Sequence, residues 1–274
     1  MQLLLILVHL SKVTKYHIMK KITTLFALAL IMMGQQALAQ AVNASEIMEK
    51  AISGDNIVYK NVTIKGIVDI TPYQEKKDDL PSSSWWSGNS NTIEKTISSM
   101  IRFENCVFED AFLAYFHDDD SENTFVTHFD SDVSFINCQF KEEIAFKYSE
   151  FEGDFVLAGS VIGDEANFKY AEFNENADFS RVVFNELANF KYAEYEEMTS
   201  YANTTFNEEA NFKYAEMEGG VNFTNALFND FLNFKYTELE GDVILTNFQV
   251  KGDIDTKYTE VNGEDFTAYL LKNK

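Results

Sequence analysis

Apolar residues recur at a fixed spacing from the middle of the chain to its C-terminal region. One phrase returns every 22 residues, in copies that begin at Ile144, Ala166, Ala188, Ala210, Leu232 and Ile254. Looser copies lie halfway between them and begin at Val133, Phe155, Ala177, Thr199, Val221 and Val243. The repeating unit is therefore eleven residues long, and such a period predicts a solenoid in which each unit buries its apolar face against its neighbours.

Each unit places apolar or small residues at positions one, three, six and eight, as Ala166, Phe168, Ala171 and Phe173 do. A helix with this pattern would have no continuous apolar stripe, which argues against a right-handed coiled coil. Two short strands separated by a corner fit the pattern, because positions one and three share one face and positions six and eight share the next. Two units then form one four-sided coil of 22 residues.

The unit resembles that of the pentapeptide-repeat proteins, which reads roughly A(D/N)(L/F)xx. The runs ANFKY-AEFNE, from Ala166, and ADFSR-VVFNE, from Ala177, match it, with one extra residue after every second pentapeptide. The resemblance is strong over about Val133 to Glu264 and weak over Ile57 to Asp132. It implies an all-β fold, a right-handed quadrilateral β-helix with short capping helices at one or both ends. Columns of inward-facing phenylalanines would supply the core.

The two ends of the repeat region carry sequences of a different kind. Residues 40–56 predict an N-terminal capping helix, in which Asn43 and Glu46 form a capping-box-like start and Gly54 marks the end. Residues 57–264 are predicted to form the β-helix, and residues 265–274 a C-terminal cap. The cap would close the solenoid with its apolar side chains, Phe266, Tyr269, Leu270 and Leu271.

Two predicted loop insertions, 71–98 and 117–123, interrupt the periodicity. The first contains both prolines of the chain and the pair Trp85-Trp86, which we expect either to contact a ligand or to pack on the flank of the coil. The second reads HDDDSEN, from His117 to Asn123. We expect it to be a solvated acidic loop, with a Ca²⁺ site as the alternative because clustered oxygen ligands suit that ion.

Residues 19–39 have the features of a secretory signal peptide: two lysines, an apolar run and a terminal Ala37-Leu38-Ala39. We expect cleavage near Ala39/Gln40 and export to the periplasm or the extracellular space. Met19 is then the expected start of translation, with residues 1–18 lying ahead of it. No segment of the mature chain is apolar enough to be predicted to span a bilayer.

The chain is strongly acidic, with a net charge of −22. Removal of residues 1–39 leaves 18 basic and 44 acidic residues, a net charge of −26. Such a surface disfavours binding to nucleic acid. Some cytosolic pentapeptide-repeat proteins resemble DNA in shape and charge and bind a topoisomerase, and acidity would suit such an inhibitor, but the export signal argues against this function.

The two cysteines of the chain, Cys106 and Cys138, both occupy the small inward sixth position of a unit. They lie 32 residues apart, about one and a half coils of 22 residues. This spacing predicts that they lie on different sides of the coil, buried and unpaired.

No catalytic motif is present, and only His117 and His128 remain after the signal peptide. The carboxylates repeat along the solenoid and do not converge on one site. We therefore expect no enzymatic activity, no metal and no cofactor. The alternative is an enzyme or a Ca²⁺-binding protein whose site lies in the loop insertions.

One corner of the coil repeats outward-facing residues, and it is the candidate binding face. We call its paired columns the Lys-Tyr ladder: Lys147, Tyr148, Lys169, Tyr170, Lys191, Tyr192, Lys213, Tyr214, Lys235, Tyr236, Lys257 and Tyr258. Beside it runs the Glu column: Glu150, Glu172, Glu194, Glu216, Glu238 and Glu260. At about 4.8 Å per coil, the ladder would extend roughly 24 Å.

The opposite corner varies, with Gly159, Arg181, Asn203, Asn225 and Asn247 at the equivalent of the Tyr position. The Asn and Gly residues indicate a turn with positive φ, and we expect a different turn type at Tyr. A structural interpretation of the ladder is that Glu offsets Lys repulsion while stacked Tyr rings cover the corner. A functional interpretation is that the face binds an unknown protein or polymer partner. The solenoid could also associate end to end or face to face with a second copy.

Overall fold

The computed structural model describes residues 40–76 and 91–272. The described residues from 41 onward form one compact unit, a four-walled β-helix. Each coil contributes one short strand to each of four parallel sheets, and register neighbours lie one coil apart, as Ile144, Ala166 and Ala188 do. The predicted fold class is confirmed.

Four walls, numbered in the order in which each coil passes through them from Ile57 onward, make up the solenoid. The first wall contains Ile57–Lys60, Ile101–Glu104, Val133–Ile136, Phe155–Val156, Ala177–Asp178, Thr199–Ser200, Val221–Asn222 and Val243–Ile244. The second contains Gln40–Asn43, Val62–Lys65, Val107–Phe108, Gln139–Phe140, Val161–Ile162, Val183–Phe184, Thr205–Phe206, Leu227–Phe228 and Gln249–Val250.

The third and fourth walls flank the corner that carries the Lys-Tyr ladder. The third contains Val68–Asp69, Phe112–Leu113, Ile144–Ala145, Ala166–Asn167, Ala188–Asn189, Ala210–Asn211, Leu232–Asn233 and Ile254–Asp255. The fourth contains Thr92–Ile97, Asn123–Phe129, Glu150–Phe151, Glu172–Phe173, Glu194–Tyr195, Glu216–Met217, Glu238–Leu239, Glu260–Val261 and Glu264–Asp265. Two pairings at this wall are antiparallel: Tyr115–Asp118 pairs with Asn123–Phe129, and Glu264–Asp265 pairs with Glu260–Val261.

Stacked aromatic rings fill the interior. Phe168 and Phe190 lie parallel, with centroids 5.1 Å apart, and Phe151 and Phe173 stack at 5.0 Å. Each buried large side chain contributes about 1.5–3 kcal/mol, so these columns are the main stabilising term. One pair of core positions holds tyrosine in place of phenylalanine. The buried hydroxyls of Tyr195 and Tyr201 form a hydrogen bond of 2.7 Å with each other.

Short helices lie at both ends. Helix α1, Ala44–Ser53, buries Ile47 in the core and ends at Gly54, whose left-handed conformation (φ 77°) is typical of a helix C-terminus. Asn43 precedes this helix, but its side chain makes no capping hydrogen bond. The carboxylate of Glu46 instead accepts a 2.7 Å hydrogen bond from the Tyr59 hydroxyl. The capping-box interpretation is therefore wrong.

A second short helix, α2, spans Tyr73–Lys76. The C-terminal helix, α3, spans Phe266–Lys272. Asp265 caps α3 by accepting hydrogen bonds from the backbone N–H groups of Thr267 and Ala268. Phe266 is buried and Tyr269 packs against the core, but Leu271 is 69% exposed. The cap therefore covers the last coil only in part.

Both insertions differ from the loops that the sequence predicts. Thr92–Ile97, at the end of the predicted 71–98 loop, pairs in register with Asn123–Phe129 and belongs to the fourth wall. The HDDDSEN segment is the tip of the antiparallel hairpin between Tyr115–Asp118 and Asn123–Phe129. Residues 77–90, including Trp85 and Trp86, lie outside the described residues, as does the predicted signal peptide.

The hairpin changes where the cysteines lie. Val133 pairs with Ile101, 32 residues earlier, whereas Phe155 pairs with Val133 at the usual 22. Cys106 and Cys138 are therefore one enlarged coil apart, on the same wall. Both are free and buried, but the prediction that they lie on different sides is wrong.

Candidate binding face

The corner of the ladder begins with a side-chain hydrogen bond. In the coil at Ala166, Asn167 Oδ1 accepts a 3.2 Å bond from the backbone N–H of Lys169. The N–H of Ala171 then donates to the carbonyl of Phe168 at 3.0 Å, which closes a tight turn. Tyr170 is the third residue of this turn and has φ 59°. Asn at position two thus helps to set the corner that presents Lys and Tyr.

All six ladder tyrosines have a left-handed backbone, with φ between 59° and 63°. The opposite corner has the same feature at Arg181 (59°) and Asn203 (60°). The expectation of a different turn type at Tyr is therefore wrong, because the coil closes through equivalent corners on both sides. Asn and Gly tolerate this conformation well, whereas for a bulky residue it costs about 1–2 kcal/mol.

The tyrosine rings form one continuous stack. Successive centroids from Tyr148 to Tyr258 lie 5.0, 4.6, 4.8, 4.7 and 4.8 Å apart, and the first four pairs are within 9° of parallel. Each inner ring therefore has a neighbouring ring on both faces. Its edge and hydroxyl remain to interact with solvent or a partner. Among the described residues, these six hydroxyls have no hydrogen-bond partner.

Each ladder lysine lies against the ring of its own tyrosine. The Nζ atom is 4.7–5.5 Å from the ring centroid in all six coils, within cation–π range. In the described part of the chain, no ladder lysine has a carboxylate within 4 Å. Burial, and then the charges of Lys147 and Lys191, lower the pKa of Lys169 below its ordinary value. The lysines thus repel one another and lack local counter-charges.

The Glu column lies on the fourth wall and does not pair with the lysines. Its members are register neighbours, as Glu172 and Glu194 are. Burial, followed by the charge of neighbouring glutamates, raises the pKa of Glu172, Glu194 and Glu216. The Glu column therefore makes no direct ion pair that would offset the repulsion between the ladder lysines. The corner separates a basic strip from an acidic one.

Tyr115 extends the ladder at its N-terminal end, which sequence reasoning missed. Its ring centroid lies 6.0 Å from that of Tyr148, and its hydroxyl is 3.1 Å from Lys147 Nζ. This residue belongs to the hairpin and falls outside the 22-residue period, so the repeat pattern carried no signal for it. At the other end, Tyr258 is 57% exposed.

The hairpin tip shows local polar contacts only. Asp118 accepts a 2.6 Å hydrogen bond from Ser121, and His117 Nε2 lies 3.7 Å from Asp119. Across residues 40–76 and 91–272, no three His, Cys, Asp or Glu side chains are grouped as a metal would require. Over the same residues, no helix is both long enough and apolar enough to cross a membrane.

Comparison with known proteins identifies the repeat. The family model of pentapeptide repeats (9 copies) matches residues 146–194 and 198–249. Among solved structures, the chain is similar to HetL, a pentapeptide repeat protein involved in heterocyst differentiation regulation from the cyanobacterium Nostoc sp.. It shares 10% sequence identity at a TM-score of 0.25, with 81% of this chain and 98% of that chain covered. No curated protein matches the sequence. The matched part of the chain, residues 146–194 and 198–249, therefore consists of pentapeptide repeats.

Proposed function

We propose that this protein is exported and acts as a non-enzymatic binding module, which presents the Lys-Tyr ladder to a protein or polymer partner. One observation carries the proposal. Six successive coils place Tyr at a left-handed corner position, where Asn or Gly would fit with less strain, and each adds a lysine without an ion-pair partner.

The tyrosines alone could have a structural role. A stacked aromatic pair contributes about 0.5–1.5 kcal/mol beyond burial, which offsets the backbone cost of the corner. The lysines are harder to explain in this way. A cation–π contact at an exposed site contributes only about 0.5–1 kcal/mol, and a column of like charges opposes it. A partner that supplies counter-charge would account for their repetition.

The chemistry of the ladder indicates the kind of partner. Ammonium groups and phenol hydroxyls are hydrogen-bond donors, and the inner rings cover one another's faces. The face therefore suits a partner rich in anionic or carbonyl oxygens, and it is poorly suited to stacking on flat ligands. The export signal argues against nucleic acid as the partner. Because the net charge of −22 repels any polyanion at long range, an acidic partner would be attracted only by the local charge of the ladder. An acidic polymer or an acidic protein segment fits best.

The test compares two charge-matched variants. One changes four ladder lysines to Gln: Lys169, Lys191, Lys213 and Lys235. The control changes four lysines away from the ladder to Gln: Lys60, Lys65, Lys141 and Lys251. Both lose four positive charges, so any difference reports position and not net charge.

Binding would be measured to immobilised polyglutamate and polygalacturonate, with neutral dextran as the blank. We expect the ladder variant to bind one or both acidic polymers about tenfold more weakly than the wild type, and the control variant to bind nearly as well as the wild type. Added salt should weaken the wild-type interaction, because exposed charges are screened. Equal losses in both variants, or no binding by the wild type, would contradict the proposal.

A further inference from the structure

The two cysteines are direct neighbours on the second wall. Cys106 and Cys138 each precede a strand of this wall, and the following residues, Val107 and Gln139, are register partners. The backbone N–H of Gln139 donates to the carbonyl of Cys106 at 2.8 Å. Both side chains face the interior and are only 1% and 2% exposed. They are also the only cysteines in the sequence.

The next coils show what this inward position requires. Ser160 and Thr204 follow Cys138 in the same column at 22-residue intervals, with Val182 between them. Their hydroxyls donate to carbonyls of the preceding coil, Ser160 to Phe135 at 2.9 Å and Thr204 to Phe179 at 2.6 Å. The position therefore accepts small side chains with or without a donor, and the neighbouring coils fill it without sulfur.

The spacing of the pair suits a covalent bond. Paired residues of neighbouring strands lie about 4.8 Å apart, within the range of about 4.4–6.8 Å between the Cα atoms of a disulfide. Both side chains leave the backbone on the same face of the same wall. No change of register is needed to bring the sulfur atoms together.

We propose that Cys106 and Cys138 form an intramolecular disulfide, which links two successive coils across the Tyr115–Phe129 hairpin. The Cys106 thiolate attacks a sulfur of a disulfide oxidant, such as oxidised glutathione, and releases one glutathione thiolate. Cys138, after losing its proton, attacks the Cys106 sulfur and releases the second. The two cysteines lose two protons and two electrons in total, and the oxidant is reduced to two thiols.

The thiol chemistry supports this order of attack. Interaction with Cys138 lowers the pKa of Cys106 below its ordinary value, whereas interaction with Cys106, followed by burial, raises the pKa of Cys138. Because the thiolate is the nucleophile, Cys106 is the first to react. Both sulfurs are enclosed in the folded coil, so the oxidant reaches them when the first coils open locally. The order of attack applies to this local opening, in which the two thiols are still neighbours.

The expected effect is a rise in thermal stability. The bond would close a loop of 32 residues, and cross-linking such a loop restricts the unfolded chain. For a chain of this size, we expect the oxidised form to melt about 10 °C above the reduced form. The hairpin that supplies Tyr115 to the ladder would be held between the two linked cysteines.

The experiment refolds the full chain with oxidised glutathione, and separately with a reductant. Free thiols are counted after denaturation with a maleimide, and peptide mapping locates any cross-link. We expect no free thiols and a link between Cys106 and Cys138 in the oxidised monomer. The matched control is the double variant Cys106→Ser/Cys138→Ser, which should melt at the same temperature under both conditions.

Three outcomes would overturn the inference. They are two free thiols after oxidative refolding, a cross-link only between separate chains, and equal melting temperatures for the oxidised and reduced wild type. Binding by the ladder is a separate measurement. The disulfide inference can therefore be refuted while the proposed function holds, and the proposed function can be refuted while the disulfide is found.

Discussion

Replacement of Tyr192 by Asn measures how far the tyrosine stack stabilises the solenoid. The ring stacks on Tyr170 at 4.6 Å and on Tyr214 at 4.8 Å, and Lys191 Nζ lies 4.8 Å from its centroid. Loss of two stacked pairs costs about 1–3 kcal/mol, and loss of the cation–π contact about 0.5–1 kcal/mol.

A gain in backbone energy opposes these losses. Tyr192 has φ 61°, and Asn tolerates this region with about 1 kcal/mol less strain. The net expectation is a destabilisation of about 2 kcal/mol. For a solenoid of this length, the melting temperature should fall by about 4–8 °C. Thermal unfolding followed by circular dichroism would measure the change.

Two further variants separate the contribution of ring stacking from that of backbone strain. Tyr192→Phe keeps the ring and loses only a hydroxyl that has no partner among the described residues, so its melting temperature should stay within about 1–2 °C of the wild type. Asn203→Tyr places a tyrosine at the equivalent opposite corner (φ 60°), without stacked neighbours and with loss of the 3.0 Å hydrogen bond from Asn225. It should be destabilised by about 2 kcal/mol.

An unchanged or higher melting temperature in Tyr192→Asn would refute this reasoning, because the stack would then fail to offset the strain of the corner. Such a result would leave recognition as the explanation for the tyrosines. A fall well beyond about 8 °C would make the stack a major structural element and would weaken the case for a binding face.

Three other expectations can be checked directly. Tyr195→Phe should cost about 1–3 kcal/mol in chemical denaturation because it leaves the Tyr201 hydroxyl buried without a partner, whereas Tyr195→Phe/Tyr201→Phe should recover most of the loss; additive losses would count against the pair. Because the pKa values of Glu172, Glu194 and Glu216 are raised in the folded state, folding is favoured at low pH and stability declines as pH rises through the raised values. The melting temperature should therefore be higher at about pH 5 than at about pH 7, and a triple Glu→Gln variant should reduce the difference; an equal difference in that variant would rule out the Glu column as its source. N-terminal sequencing of the exported protein should begin at Gln40, and recovery of residues 19–39 in the mature form would disprove cleavage.

The repeat made the solenoid readable from the sequence. Every coil offers its residues nearly the same surroundings, so the pattern at Ala166, Phe168, Ala171 and Phe173 identified inward positions that are all at most 1% exposed. The columns of the Lys-Tyr ladder followed from the same 22-residue spacing. Gly54 marked the end of α1 because few other residues adopt a left-handed C-cap.

The last coil shows where this inference weakens. Leu245 and Val250 occupy inward positions of the pattern, yet they are only partly buried. No further coil covers them, and α3 shields only part of the opening. A periodic pattern identifies the direction of a side chain, whereas its burial depends on a neighbouring coil.

Tertiary structure decided what lies outside the period. The antiparallel hairpin around HDDDSEN enlarges one coil, which brings Cys106 and Cys138 together and places Tyr115 beside Tyr148. A count of residues in units of 22 could not predict that the cysteines are neighbours, because the hairpin adds ten residues that leave the wall and return to it. The left-handed backbone of the tyrosines could not be predicted from the local preference of tyrosine, which disfavours positive φ. Closure of a four-sided coil requires a sharp turn at each of these corners, and that requirement overrides the preference of the residue that occupies it.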